Sequence, residues 1–437
     1  MTSILITDGL VISNRGVKKA DIRIVNGLIT EIADSLPPSA EDQIVRAEGM
    51  WVGPGFVDLH THLREPGGEA AETIESGARA AIVGGYTALV AMPNTEPAID
   101  NVAIASFVLA AGARTPITVA VAGAITQNRA GEHLAPMAEM AEMGVRIFTD
   151  DGNGVQSAGV MQKALTYSTS LGVRLAQHCE DASLVGSGVM NAGALAESLG
   201  LPGRSGLGEE IMVQRDIDLV RATGARIHFL HLSTQRAIDL VVAAKIEGLD
   251  VTCEVTPHHL TLDESECSQY DPIFKVHPPL RGAHDVLALR EALRKGVIDA
   301  VATDHAPHAP ELKDRAFDEA PAGMLGLETA ASLTFEALGV EQCDPEIFYS
   351  VLSRGPARIA QLRHAEVSNG LSPQGGEIVE GEVANITVFD PRATWTVSAD
   401  RLQSRARNTP YDGRNMFGGV NAVIAKGTLV FHEGELR

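Results

Sequence analysis

At 437 residues the chain has room for one large domain and a smaller second unit, taking roughly 150 residues per domain. Its 56 acidic residues against 35 basic ones leave a formal net charge of −21, which repels phosphate backbones and anionic lipid and argues against nucleic-acid or membrane partners. It has no apolar run near the ~20 residues of a membrane span, no basic-then-apolar leader pattern and four scattered cysteines without CxxC spacing, so a reduced, cytoplasmic protein is expected.

The first fifty residues carry short apolar stretches at 4–6, 21–25 and 28–32, with Asn26-Gly27 as a hairpin signal between the last two. From residue 55 the pattern changes. Apolar runs at 55–60, 86–92, 117–123, 144–150, 173–178, 226–231, 250–256 and 298–304 alternate with helical stretches such as 70–83, 157–170, 235–245 and 284–295. Eight such units predict a (β/α)8 barrel. An open doubly wound sheet is the weaker reading, because no phosphate-binding GxGxxG opens the first unit. Strand-like runs return at 385–389, 420–424 and 427–431, the last after a Lys426-Gly427 turn. Neither terminal segment has enough apolar surface to stand alone. Residues 1–54 and 365–437 are therefore expected to pair into one composite β-sandwich beside a barrel at 55–364.

The candidate ligands fall at the ends of the expected strands. His60 and His62 close the first, spaced i and i+2, so that in extended backbone both imidazoles face one side. Asp150 and Asp151 close the fourth, His178 the fifth, His231 the sixth and Asp304 the eighth. A lone buried histidine is more often a hydrogen-bonded core residue; it is the convergence of these groups on one barrel face that points to metal. Neutral imidazoles and carboxylates suit Zn²⁺ or a similar divalent ion. Six ligands are too many for one tetrahedral zinc but suit two ions sharing a carboxylate. Such a pair lowers the pKa of bound water to about 7 and polarises a carbonyl, so metal-assisted hydrolysis is the expected reaction class.

The segment GPGFVDLHTHLREPG at 53–67 resembles the opening signature of dihydroorotases in the amidohydrolase superfamily. MPNT at 92–95, FTDDG at 148–152, QHCED at 177–181 and ATDHAPH at 302–308 resemble that family too, and the likeness covers essentially the whole chain. It implies two Zn²⁺ per subunit, with His60, His62 and Asp304 on one ion and His178 and His231 on the other. Many relatives bridge the metals with a carboxylated lysine. This chain has Asp150-Asp151 there instead, as in the long bacterial (type I) members; Asp151 is the expected bridge and Asp150 the alternative.

By the same resemblance Asp304 is the catalytic base and then acid. Arg64, Asn94 and His308 would hold the substrate carboxylate, and the backbone of Ala322 and Gly323 the ring. His277 stands where the family usually has a substrate-binding Asn. The implied reaction interconverts N-carbamoyl-L-aspartate and dihydroorotate, by a homodimer able to associate with aspartate transcarbamoylase. The rivals are another cyclic amidase (an allantoinase or hydantoinase) and an inactive partner of that transcarbamoylase. His258, His259, His228 and Cys179 are read as non-ligands.

Overall fold

The computed structural model describes residues 3–14, 16–363 and 370–437. Among these, eight parallel strands lie side by side in sequence order: Phe56–Thr61, Tyr86–Ala91, Thr118–Gly123, Ile147–Thr149, Arg174–Gln177, Ile227–Phe229, Val251–Val255 and Ala300–Val301. Each lies within its expected run, except that the first continues to Thr61. A doubly wound sheet reverses its order partway; this one does not, and its ends meet. A parallel bridge joins Thr61 to His305, and the His62 N–H donates to the His305 carbonyl at 2.9 Å. Just before that bridge Asp58 stitches the seam. Its carboxylate accepts from the Thr303 N–H at 2.8 Å, the Thr303 hydroxyl at 2.6 Å and the Thr61 hydroxyl. Burial pushes the Asp58 carboxyl up to about 6 despite these donors.

Helices at Ile74–Val83, Ala158–Leu171, Gln235–Ile246 and Ala283–Arg294 fill the expected stretches. Three start at a hydroxyl that accepts from an otherwise free N–H: Thr73 from Ser76, Ser157 from Val160 and Thr234 from Ala237. One face of the strands packs on the helices, bringing Leu89, Val119, Leu175 and Ile227 together with Val108, Leu165, Val213 and Val241. Small residues on a second cluster, including Ala88, Ala120, Ala122, Ala176, Ala300 and Ala302, fill the barrel. Two positions beyond Ala176 and Ala302 come His178 and Asp304. The alternation that fills the barrel therefore also aims these ligands inward.

The chain ends pair, as expected, into one continuous nine-stranded sheet. Its seam is Trp51–Pro54, parallel to Ser3–Ser13 and antiparallel to Ile386–Thr396. Ile4, Ile22, Ile24 and Val52 from one end share a core with Ile386, Val388 and Ile424 from the other. Asn26 and Gly27 both take positive φ, 50° and 88°, as their hairpin turn requires. The expected boundary between 364 and 365 lies outside the described residues. Sheet and barrel meet through aromatic rings: Trp51 stands 5.6 Å from both Phe335 and Phe348, and Phe348 4.7 Å from Phe389. The Tyr349 hydroxyl donates to the carbonyls of Trp51 (3.0 Å) and Thr387 (2.9 Å), on strands of the terminal sheet.

Because Asp58 carries much of the barrel closure, Asp58→Ala is expected to leave buried donors on Thr303 unpaired. Urea unfolding should show a loss of about 2–5 kcal/mol, the sum of one or two such penalties. A loss below about 0.5 kcal/mol, the usual range of a neutral surface change, would mean the seam does not depend on it.

Candidate metal centre

The six expected ligands come together at the carboxyl ends of the strands, none more than 7% exposed. Two groups could each hold an ion, His60–His62–Asp151 and Asp151–His178–His231, with ligand atoms in each group within 4.8 Å of one another. Asp151 belongs to both. Its Oδ1 lies 3.4 Å from His60 Nε2, 3.5 Å from His178 Nδ1 and 3.6 Å from His231 Nε2, and its Oδ2 lies 3.6 Å from His62 Nε2. Asp304 enters from the eighth strand, its Oδ1 3.0 Å from His62 Nε2 and 3.5 Å from His60 Nε2. Asp150 is engaged elsewhere. Its carboxylate accepts from the N–H groups of Ile125 (2.9 Å) and Thr126 (3.0 Å) and from the Thr126 hydroxyl. Of the adjacent aspartates, Asp151 is the one among the imidazoles.

Three of the four imidazoles have their far nitrogen tied to an acceptor. His60 Nδ1 donates to Glu254 at 2.8 Å, His62 Nδ1 to the Asn94 side-chain oxygen at 2.8 Å, and His178 Nε2 to Glu180 at 3.0 Å. In a neutral ring that leaves the other nitrogen's lone pair facing Asp151. The outer acceptors are themselves held. His228 Nε2 donates to Glu254 at 3.0 Å, and Arg204 grips Glu180 through Nε and Nη2, both at 2.6 Å. Burial opposes the charge on Glu254, yet His228 and His60 bring its carboxyl down to about 2.

Burial likewise penalises Asp151 and Asp304. The imidazoles of His60, His178 and His231 nevertheless hold Asp151 well below the usual carboxylate range, and His60, His62 and His231 lower Asp304. His60 Nε2 and His231 Nδ1 are fully buried without a hydrogen-bond partner. Converging lone pairs, an orphaned ring nitrogen among them and two ionised carboxylates fit a divalent cation of zinc's kind.

The expected substrate residues surround this centre. Arg64 donates from Nε to the Pro307 carbonyl at 3.1 Å, and its φ of 60° joins 32° at His231 and 45° at Asp304. Left-handed backbone costs about 1–3 kcal/mol at such residues, and here it clusters at the site. Asn94 gives its oxygen to His62, which leaves its amide N–H groups for other partners. His308 Nε2 donates to the Ala322 carbonyl at 2.8 Å, and the Gly323 N–H donates to the Lys275 carbonyl at 2.8 Å. Those backbone groups already have partners in this structure. His277 Nε2 is buried and unpaired, and burial, with Arg204 adding, pulls its ring down to about 3. It is a neutral side chain near Glu180, Arg204 and His178.

His259 is bonded locally, to the Thr256 hydroxyl (2.7 Å) and the Pro278 carbonyl (3.0 Å), and Cys179 lies in the core. Sequence reading passed over Glu254, Glu180 and Arg204, and took His228 only as a non-ligand. A signal existed for two of them. Glu254 is a charge inside an apolar strand, and Glu180 sits two residues past His178.

A parallel barrel with two ligand groups sharing a carboxylate on its C-terminal face defines an amidohydrolase-type enzyme. A family model described as Dihydro-orotase-like matches residues 49–237. The dihydroorotase of Anaeromyxobacter dehalogenans (strain 2CP-C) is 43% identical over 423 residues, 96% of this chain and 95% of that protein. That of Caldanaerobacter subterraneus subsp. tengcongensis is 40% identical over 437 residues, 99% of this chain and 98% of that protein. The solved L-hydantoinase (dihydropyrimidinase) from Arthrobacter aurescens superposes with a TM-score of 0.88 at 24% identity, covering 100% of this chain and 98% of its own, a likeness of fold. The chain belongs to the dihydroorotase family.

If Glu180 and Glu254 set the ring orientation, Glu180→Gln and Glu254→Gln should each weaken divalent-ion binding by about 10- to 100-fold. Competition against a chelating dye measures this. Wild-type affinity in both variants would strip the two carboxylates of that role.

Proposed function

We propose that this chain catalyses the reversible cyclisation of N-carbamoyl-L-aspartate to (S)-dihydroorotate, a step of pyrimidine biosynthesis, at two zinc ions. One observation carries the reading: Asp151 stands between two ligand groups, in a chain whose relatives over nearly its full length bear the dihydroorotase name. His60, His62 and Asp304 would hold one ion, His178 and His231 the other, and Asp151 both. When bound, such a pair acidifies water and polarises the ring carbonyl.

In the hydrolytic direction water adds across the ring carbonyl–nitrogen bond. Asp304 takes the proton from the attacking water and returns it to the departing nitrogen, and ring closure retraces these steps. Arg64 offers a planar fork to the substrate carboxylate, and the Asn94 amide adds a donor. His308 would join by giving up its bond to Ala322, next to the backbone of Ala322 and Gly323 that faces the ring. Neutral His277 would donate a further hydrogen bond to the substrate.

By the same reading residues 1–54 and 365–437 form one unit beside the barrel at 55–364. The enzyme works in the cytoplasm as a homodimer able to associate with aspartate transcarbamoylase, which sedimentation of the two proteins alone and mixed would measure.

The zinc-loaded protein is expected to turn over dihydroorotate in preference to allantoin or hydantoin, with two zinc ions per chain by elemental analysis. Full activity with a single bound ion, or a preference for either rival ring, would overturn the reading.

Asp304→Asn keeps the shape and a ligating oxygen but cannot carry a proton. It is expected to retain its metal while kcat falls by about 10²- to 10⁴-fold. A variant keeping more than about a tenth of wild-type kcat would remove Asp304 from the proton path, since that transfer is worth more.

A further inference from the structure

Asp has a short side chain, so a carboxylate shared between two ligand groups can reach both only if its main chain is held in place. The loop after the third strand meets Asp151 and its neighbours at three points. Ile125 and Thr126 donate to the Asp150 carboxylate. Arg129 Nη1 donates to the main-chain carbonyl of Asp151 at 2.7 Å. Asn153 Nδ2 donates back to the Arg129 carbonyl at 2.9 Å. Residues 150, 151 and 153 are thereby interlocked with 125–129.

The loop takes an unfavourable shape to do this. Asn128 and Arg129 are consecutive left-handed residues, φ 53° and 55°, and the Asn128 N–H is anchored on the Asp100 carboxylate at 2.8 Å. Two such residues in succession cost energy that the surroundings must offset. Arg129 Nε is fully buried with no hydrogen-bond partner, a further cost of keeping the guanidinium on Asp151. On the other side of Asp151 the turn is equally tight. Gly154 has φ +64°, and a Cβ there would stand 2.4 Å from the His178 carbonyl oxygen. The chain before Asp151 is thus held by Ile125 and Thr126, and the chain after it by Arg129 and the next ligand's backbone.

We infer that Arg129 is a positioning residue for Asp151, setting the distance of the shared carboxylate from both ligand groups through its main-chain carbonyl. This rests on the reading of Asp151 as the ligand common to two ions. The same guanidinium has a second conceivable use. A Cβ built on Gly152 would lie 3.8 Å from Arg129 Nη1 and 3.9 Å from Asn94 Nδ2, which puts Arg129 near an expected substrate contact. Positioning is favoured because Nη1 is already committed to the Asp151 carbonyl, and Asn153 returns the bond.

The test uses the full-length protein and its Arg129→Met, Arg129→Lys and Asn153→Ala variants. Zinc affinity by chelator competition, kcat and KM on dihydroorotate, and melting of the metal-stripped proteins are measured together. Arg129→Met is expected to lose zinc affinity by about 10- to 100-fold, the usual effect of removing an outer partner. Its kcat should fall and partly return at high zinc, with KM within about twofold. Arg129→Lys should recover part of the loss. Asn153→Ala should shift zinc affinity the same way by less, and it carries the test alone if Arg129→Met does not fold. Wild-type zinc affinity with a raised KM would make Arg129 a substrate anchor and overturn the inference. Lower melting of the stripped protein with zinc affinity unchanged would reduce it to a structural residue, with the same result. A wild-type protein that binds no divalent ion would overturn the metal reading and the positioning role of Arg129 together, whereas zinc-binding wild type with an indistinguishable Arg129→Met overturns that role alone.

Discussion

The structure depends on keeping one carboxylate, that of Asp151, buried among four imidazoles. Taking such a group out of water is costly by several kcal/mol unless opposite charge and hydrogen bonds replace the solvent. Here the replacement comes from three different strands, with His60, His62, His178 and His231 all within 3.6 Å of it. Closing the barrel brings strand ends far apart in sequence around one point. The seam at Asp58, Thr303 and His305 matters for that reason, since it holds the first strand's histidines against the eighth strand's aspartate.

Around that centre lies a shell of acceptors whose work is orientation. An imidazole presents a lone pair to an ion only if its other nitrogen keeps the proton. Glu254, Asn94 and Glu180 secure this for three rings, and His228 and Arg204 hold two of those acceptors. Left-handed backbone at Arg64, His231 and Asp304 belongs to the same pattern. The fold tolerates local strain where side chains must leave the strand ends at unusual angles.

The charge distribution also follows. A chain with a net charge of −21 repels a small dianion at long range, so attraction has to be local. Arg129 and Arg204 are engaged with the Asp151 carbonyl and with Glu180, which leaves Arg64, anchored through Nε on the Pro307 carbonyl, to supply it. Anchored guanidiniums lose less freedom on meeting a carboxylate than mobile surface ones.

The sequence by itself determined the alternation of strands and helices and the placing of six candidate ligands at strand ends. Both are local properties. Period-two apolar runs and hydroxyl caps depend on near neighbours, and the HxH spacing puts two rings on one face of one strand. It also carried the pairing of the chain ends, since neither could bury its apolar face alone. Only the tertiary structure places Asp151, and not Asp150, among the imidazoles. Adjacent residues in a loop can exchange roles with a small backbone rotation, and here the choice is made by partners on another loop, Thr126 and Arg129. The orienting shell was legible only in part: Glu254 and Glu180 leave local signals, but their partners do not, because Glu254 meets His60 across 194 residues of chain and Arg204 reaches Glu180 from a two-residue strand outside the barrel. Such pairings arise only when distant segments fold together, and no local pattern encodes them.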